Sequence, residues 1–182
     1  MGVPVAPRNI FPSNIQGMPT WYEMRVSAAG WLGRRGGCDL MVAMNPQTWD
    51  RDIAEIEPGG YLFYDSTKAL PRSRFRDDIV VLGVPLTEMC NREYTDARQR
   101  QLLKNIMYVG ALTALLDMDL AVPEKLIADQ YRGKDKLIAS NVQALKIGYD
   151  EAKAVVKYGR HPLDIDEVGE HIGEPRSRQV TV

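Results

Sequence analysis

Between Cys38 and Thr67 the spacing of apolar residues changes period twice, and this restricts the fold more than any other stretch of the chain. Residues 38–45, CDLMVAMN, are apolar without alternation, as in a strand buried on both faces of a parallel sheet. A helical period follows. Asn45 is placed to cap, Pro46 suits a first helical position, and Trp49, Ile53 and Ile56 fall three or four apart on one face. Pro58-Gly59-Gly60 reads as the stop. YLFYDST (61–67) is then a second strand, and DDIVVLGVPLTE (77–88) a third that ends at Pro85. Strand, helix, strand at this spacing is a right-handed βαβ unit. It predicts an α/β domain with a mostly parallel sheet.

Ahead of this unit, residues 1–20 are rich in Pro, Asn, Ser and Gly and read as an extended lead and loop. WYEMRVSA (21–28) alternates as a strand, followed by a Gly-rich basic turn. Behind the unit the chain reads as helical. Thr95 or Asp96 caps a long helix whose apolar face is Leu102, Leu103, Ile106, Val109 and Leu112. Gly110, Ala111 and Ala114 make its second half small, so another element is expected to pack closely there. A short helix follows with Pro123 near its start. A long amphipathic one then carries Leu137, Val142, Leu145, Ile147 and Val155. From about Gly159 the sequence turns polar, and it finishes on RQVTV, which reads as the first strand of something further.

The chain has 182 residues, enough for one domain with a real core, and its 45% hydrophobic and 26% charged composition is ordinary. A net charge of −1 gives no sign of a nucleic-acid or membrane-surface protein. No apolar run reaches the roughly 20 residues that span a bilayer, and the N-terminus lacks the apolar core of a signal peptide. A cytoplasmic location is the expectation. Cys38 and Cys90 are too few for a four-cysteine metal or iron–sulfur site and do not form a CxxC pair. His161 and His171 lie in the polar tail, away from any nucleophile.

Ligands of open α/β sheets favour the carboxyl ends of the strands. Asn45, Gln47 and Thr48, then Asp65, Ser66 and Thr67, then Thr87 and Glu88 occupy such ends. Asn45 has a helix start to offer an anion, although it is equally a simple cap. In the long helix, Arg100, Gln101, Lys104, Asn105 and Tyr108 form a cationic, amide-rich stripe with no acid between Arg98 and Leu116. Such a stripe suits phosphate or carboxylate, or is a wet helix surface. No P-loop, GxGxxG or GxSxG is present, so no catalytic residue and no metal ligand is assigned. The residues describe a module that completes a site shared with another polypeptide. A binding module for a nucleotide-like ligand or a protein partner, without redox chemistry, is the alternative.

Four blocks in order add a resemblance: FPSNIQGMPTWYEMRVS, DLMVAMNPQTWDRDIAEIEPGGYLFYDST, VLGVPLTE and RQRQLLKNIMYVGALTALL. Together, over about residues 10–158, the chain resembles the gamma domain of the 2-oxoacid:ferredoxin (acceptor) oxidoreductases, and most of all the 2-oxoglutarate subgroup. The resemblance implies a Rossmann-like three-layer fold with a helical C-terminal half. It also implies thiamine diphosphate-dependent oxidative decarboxylation of a 2-oxoacid, with electrons leaving through iron–sulfur clusters to ferredoxin and the acyl group going to coenzyme A. Thiamine diphosphate and the clusters are expected in partner alpha and beta parts, and the gamma domain packs over them, inactive alone. It further implies that Arg100, Lys104 and Asn105, with Asn45, hold coenzyme A, and that Ser13, Asn14, Gln16, Gly17 and Thr20 face the coenzyme or the partner's active site. The chain departs from the family in lacking the usual N-terminal Gly-rich strand–turn–helix. Residues 1–158 are thus read as an N-terminally short gamma domain, and 159–182 as a polar linker toward an absent thiamine-binding domain. The missing strand would leave a sheet edge uncovered, with low stability or association as the consequence.

Overall fold

The strand–helix–strand unit forms where the period changes. The computed structural model describes residues 4–10, 18–31, 33, 35–158 and 178–181. In chain order its elements are β1 (Val5–Ile10), β2 (Trp21–Val26), β3 (Cys38–Ala43), α1 (Trp49–Ala54), β4 (Ile56–Asp65), β5 (Val80–Val84), α2 (Leu86–Glu93), α3 (Ala97–Leu115), α4 (Ala121–Gln130), α5 (Asp135–Tyr158) and β6 (Arg178–Thr181). A 3-10 turn, Pro46–Thr48, leads into α1.

The strands form one sheet in the order β1-β2-β6-β3-β4-β5. β6, β3 and β4 are parallel, as the unbroken apolar run of β3 requires. β1 and β2 add an antiparallel hairpin, joined to the parallel part through β6. Three features differ from the expectation. The lead is a strand in part, because Pro7 sits in β1 at the sheet edge, where a missing N–H costs no ladder bond. Pro58-Gly59-Gly60 does not separate helix from strand. β4 already starts at Ile56, and the three residues form an irregularity in which Cys38 faces Ile56 but Leu40 faces Tyr61, with Gly59 at φ +79°. Residues 178–181 of the expected linker are an internal strand of the sheet, lying between β2 and β3.

The chain divides into two compact units. The first holds β1, β2, β3, α1, β6 and all but the last residue of β4 and β5. The second holds Asp65–Lys68, Val84 and α2 to α5. In the first unit, Cys38, Met41, Ala43, Trp49, Ile53, Ile56 and Leu62 form a buried cluster. Trp49 meets Tyr64 and Phe75 edge to face, at centroid distances of 5.4 and 5.7 Å, and donates its indole N–H to the Arg74 carbonyl at 3.0 Å.

In the second unit the seam between α3 and α5 carries the core. Met107, Ala111, Ala144 and Leu145 are wholly buried along it. Gly110 and Gly148 let the two backbones touch, since a Cβ on either would fall within about 2 Å of a carbonyl oxygen of the facing helix. The close packing expected at Gly110 and Ala111 is thus supplied by α5. Asp96, not Thr95, is the cap of α3, and its Oδ1 accepts from the Gln99 N–H at 2.7 Å. The rotation of α3 differs from the expectation. Leu102 is 61% and Val109 45% exposed, while Tyr108, placed by sequence on the polar stripe, is buried. No helix among the described residues is long and apolar enough to cross a membrane.

Candidate functional site

Two polar sites emerge, one in each unit. In the first unit a cleft of about 440 Å³ opens where β2 meets the β3–α1 connection; among its lining residues are Thr20, Trp21, Tyr22, Met44, Asn45 and Asp52. Thr20 and Asn45, both expected at a ligand, are thus brought together. Asn45 also caps: its Oδ1 accepts from the Gln47 N–H at 3.0 Å. Ser13, Asn14, Gln16 and Gly17 lie outside the described residues.

Sequence reasoning missed the anchor of this cleft. Asp52 is only 3% exposed, and its two oxygens accept from the Trp21 indole N–H at 2.8 Å and the Thr48 hydroxyl at 2.6 Å. The Thr48 hydroxyl also stands 3.0 Å from the Asn45 carbonyl, but its single proton favours the nearer, charged acceptor. Above the indole lies the Arg51 guanidinium, 4.0 Å from the ring centroid. The carboxylate therefore fixes β2 to α1 through the cleft wall. The available signal was an acid four residues after Thr48, one position from the apolar Ile53, which reads in sequence as one more charge on a wet face.

In the second unit Asp65, at the end of β4, caps α2. Its carboxylate accepts from the Thr67 N–H at 3.1 Å, the Thr67 hydroxyl at 2.6 Å, the Thr87 N–H at 3.1 Å and the Thr87 hydroxyl. The Thr67 hydroxyl in turn accepts from the Glu88 N–H at 3.0 Å. Burial works to raise the Asp65 carboxyl pKa, but the bonds from Thr67 and Thr87 outweigh it and hold the group below its ordinary range. The two strand-end clusters that the sequence singled out are thus one cluster, and they satisfy each other. Two backbone donors of the α2 N-terminus, the Thr87 and Glu88 N–H groups, are taken by Asp65 and Thr67.

Beside this cap, the Lys104 ammonium donates to the Thr87 hydroxyl at 3.3 Å and keeps two further N–H donors. Arg100 stands one turn earlier on α3. Both are half-buried at the border of the helix's buried face, and Asn105 is exposed next to them. Tyr108 belongs to the interior of this cluster. Burial, with the Asp65 charge adding to it, pushes its phenol far above the ordinary range. Burial likewise pushes the Cys90 thiol up, against the opposing pull of Lys104, and leaves it an unreactive core group whose Sγ is 3.5 Å from Met107 Sδ. The two cysteines of the chain are both buried and cannot supply the four thiolates of an iron–sulfur cluster.

The sequence model of the pyruvate ferredoxin/flavodoxin oxidoreductase family matches residues 1–151. The chain belongs to this family. Among curated relatives, the alpha subunit of 2-oxoacid:ferredoxin oxidoreductase 2 from Aeropyrum pernix is 25% identical over 98% of the chain and 31% of its own length. Ketoisovalerate oxidoreductase subunit VorA of Methanothermobacter thermautotrophicus is 27% identical over 63% of the chain and 23% of its own length. The chain thus spans less than a third of these relatives. Two solved structures share the fold. One is the 2-oxoglutarate:ferredoxin oxidoreductase from Magnetococcus marinus with 2-oxoglutarate, coenzyme A and succinyl-CoA bound (TM-score 0.65, 21% identity, 96% of this chain and 28% of that one). The other is the gamma subunit of a keto/oxoacid ferredoxin oxidoreductase from Geobacter sulfurreducens (TM-score 0.61, 20% identity, 84% of this chain and 82% of that one). The Rossmann-like α/β fold expected from the sequence is the fold of a family member built as a separate gamma subunit.

Proposed function

We propose that this chain is the gamma-type part of a thiamine diphosphate- and iron–sulfur-dependent 2-oxoacid:ferredoxin oxidoreductase. The complete enzyme oxidatively decarboxylates a 2-oxoacid such as 2-oxoglutarate, passes the electrons to ferredoxin and the acyl group to coenzyme A. The observation that carries this reading is the family match over residues 1–151. The likeness to most of a separate gamma subunit supports the gamma assignment. In this reading the chain covers the active site formed by alpha and beta partners in the cytoplasm. It supplies neither the thiamine site nor cluster ligands.

The chain's own share is to help hold coenzyme A. Arg100 and Lys104 stand one turn apart on α3, with the exposed Asn105 amide beside them. Two cations at this spacing suit the phosphates of the coenzyme, and the Asp65–Thr87 cap presses Lys104 into place through its bond to Thr87. In this reading the cleft at Asn45 and Thr20 faces the coenzyme or the partner's active site, and Ser13, Asn14, Gln16 and Gly17 are assigned the same role.

Calorimetric titration of coenzyme A into the assembled complex tests the assignment. The Arg100→Ala, Lys104→Ala double variant removes two charge-assisted bonds, about 3 kcal/mol, and should bind on the order of 150-fold more weakly. Unchanged affinity defeats the assignment of α3.

A further inference from the structure

Asp52 carries a buried charge for which the described residues supply no cation. It is 3% exposed, and carboxylates at that depth are almost never found without a pairing group. Its partners are two neutral donors, the Trp21 indole N–H at 2.8 Å and the Thr48 hydroxyl at 2.6 Å. Arg51, its neighbour in sequence, instead bonds to Glu55 at 3.2 Å and lies over the Trp21 ring. An ionised carboxylate has about four acceptor positions, so about two on Asp52 remain open.

The cleft of about 440 Å³ brings that charge to the surface of the first unit. Asp52 is the one charged residue in its lining; the others, Asn9, Tyr22, Met44 and Asn45 among them, are neutral. Tyr22 and Met44 are 40% and 43% exposed, so part of the apolar wall is open to a visiting group. A negative charge in such a lining disfavours the phosphates of a coenzyme, because like charges brought together cost free energy. It favours a guanidinium, which offers several N–H donors along its edge and a flat face that stacks on aromatic rings. The chain already displays the stacking half of this arrangement, with the Arg51 guanidinium 4.0 Å from the Trp21 ring centroid. We infer that the cleft is a docking site for an arginine side chain of the partner polypeptide, with Asp52 as its counter-charge. Resting on the reading that a partner covers this chain, this assignment leaves the coenzyme to Arg100 and Lys104 and gives the cleft to the partner.

Acetyl-arginine amide and its neutral counterpart acetyl-citrulline amide are titrated separately into the full-length chain. The reporter is the Trp21 indole N–H resonance, because that proton is bonded to Asp52. The arginine probe should shift it saturably at millimolar concentration. The citrulline probe should bind about tenfold more weakly or worse, and so should the arginine probe on an Asp52→Asn chain. Equal binding of the two probes by the unaltered chain, or no binding of either, overturns the proposal without recourse to any variant. With the purified thiamine-binding partner, the Asp52→Asn chain should associate about tenfold more weakly than the unaltered chain. Association as tight as the unaltered chain's overturns the partner as the source of the cation. An unaltered chain that binds the arginine probe selectively but associates with no thiamine-binding partner upholds the cation site and overturns the reading beneath the partner assignment.

Discussion

Replacing Gly110 by alanine places a methyl group 2.0 Å from the Leu145 carbonyl oxygen and 3.0 Å from the Tyr149 backbone nitrogen. Ordinary contact begins near 3.4 Å, and backbone cannot step aside as a flexible side-chain end can. The two helices must therefore part by on the order of 1 Å along a seam where Met107, Ala111, Ala144 and Leu145 are wholly buried. Overpacking of a dense core costs about 1–3 kcal/mol, and overlap with backbone belongs at the upper end. Alanine returns about 1 kcal/mol of helix propensity, so the net loss should be about 2 kcal/mol. Gly148→Ala meets the Met107 carbonyl at 2.1 Å from the opposite side of the same seam and should cost as much. Because one separation relieves both overlaps, the double variant should fall short of the summed losses by about 1 kcal/mol. Urea unfolding followed by helical ellipticity reads all four corners of this cycle. The sign is the decisive part. Propensity alone makes each substitution stabilising, so a Gly110→Ala protein as stable as the parent, or more so, would refute the packing described for α3 and α5.

The remaining predictions concern the two polar sites. Asp65→Ala strips the cap from α2 and leaves the N–H and hydroxyl groups of Thr67 and Thr87 unpaired, a loss of about 1–3 kcal/mol in chemical unfolding. Because the folded state lowers the Asp65 pKa from its ordinary value of 3.8, its stabilisation is complete above that value and fades as pH falls below it. Asp65→Asn should therefore flatten the stability profile below about pH 4 relative to the parent, and an unchanged acid limb would contradict the cap. Asp52→Ala removes the shared acceptor of Trp21 and Thr48 and should cost about 1–3 kcal/mol, with a shift in tryptophan emission as β2 loosens from α1. Unaltered emission and stability would show that the carboxylate does not organise the cleft.

Much of this architecture was legible because local signals agreed with tertiary ones. The apolar run of β3 could only be a buried parallel strand, Asn45 and Asp96 cap where their side chains predicted, and Gly110 with Ala111 announced the contact that α5 makes. What failed did so for physical reasons. α3 carries apolar residues on more than one side, so periodicity could not choose its rotation. Packing against α5 selected Met107 and Ala111, Tyr108 turned in toward the Asp65 cluster, and Leu102 and Val109 were left outside. β1 was hidden by Pro7, tolerated only because its strand is at the edge. RQVTV was legible as a strand, but its place was hidden by distance, because no local pattern says that residues 178–181 will be inserted into a sheet begun near residue 5. Of the sites, the strand-end clusters at Asp65 and Thr87 were each visible, but their union needed the sheet. Asp52 looked like surface charge because sequence carries no record of Trp21 reaching over it.

The account's central claim is that the chain lends its folds and its cations to an active site whose thiamine diphosphate and clusters are held by partner polypeptides. Affinity capture of the chain from its native source, followed by intact-assembly mass spectrometry and a 2-oxoacid-dependent ferredoxin-reduction assay, addresses it directly. The account predicts recovery with thiamine-binding and iron–sulfur subunits, and activity in that assembly that the isolated chain lacks. Oxidation of a 2-oxoacid by the isolated chain, or an assembly free of thiamine-binding and iron–sulfur subunits, would contradict it.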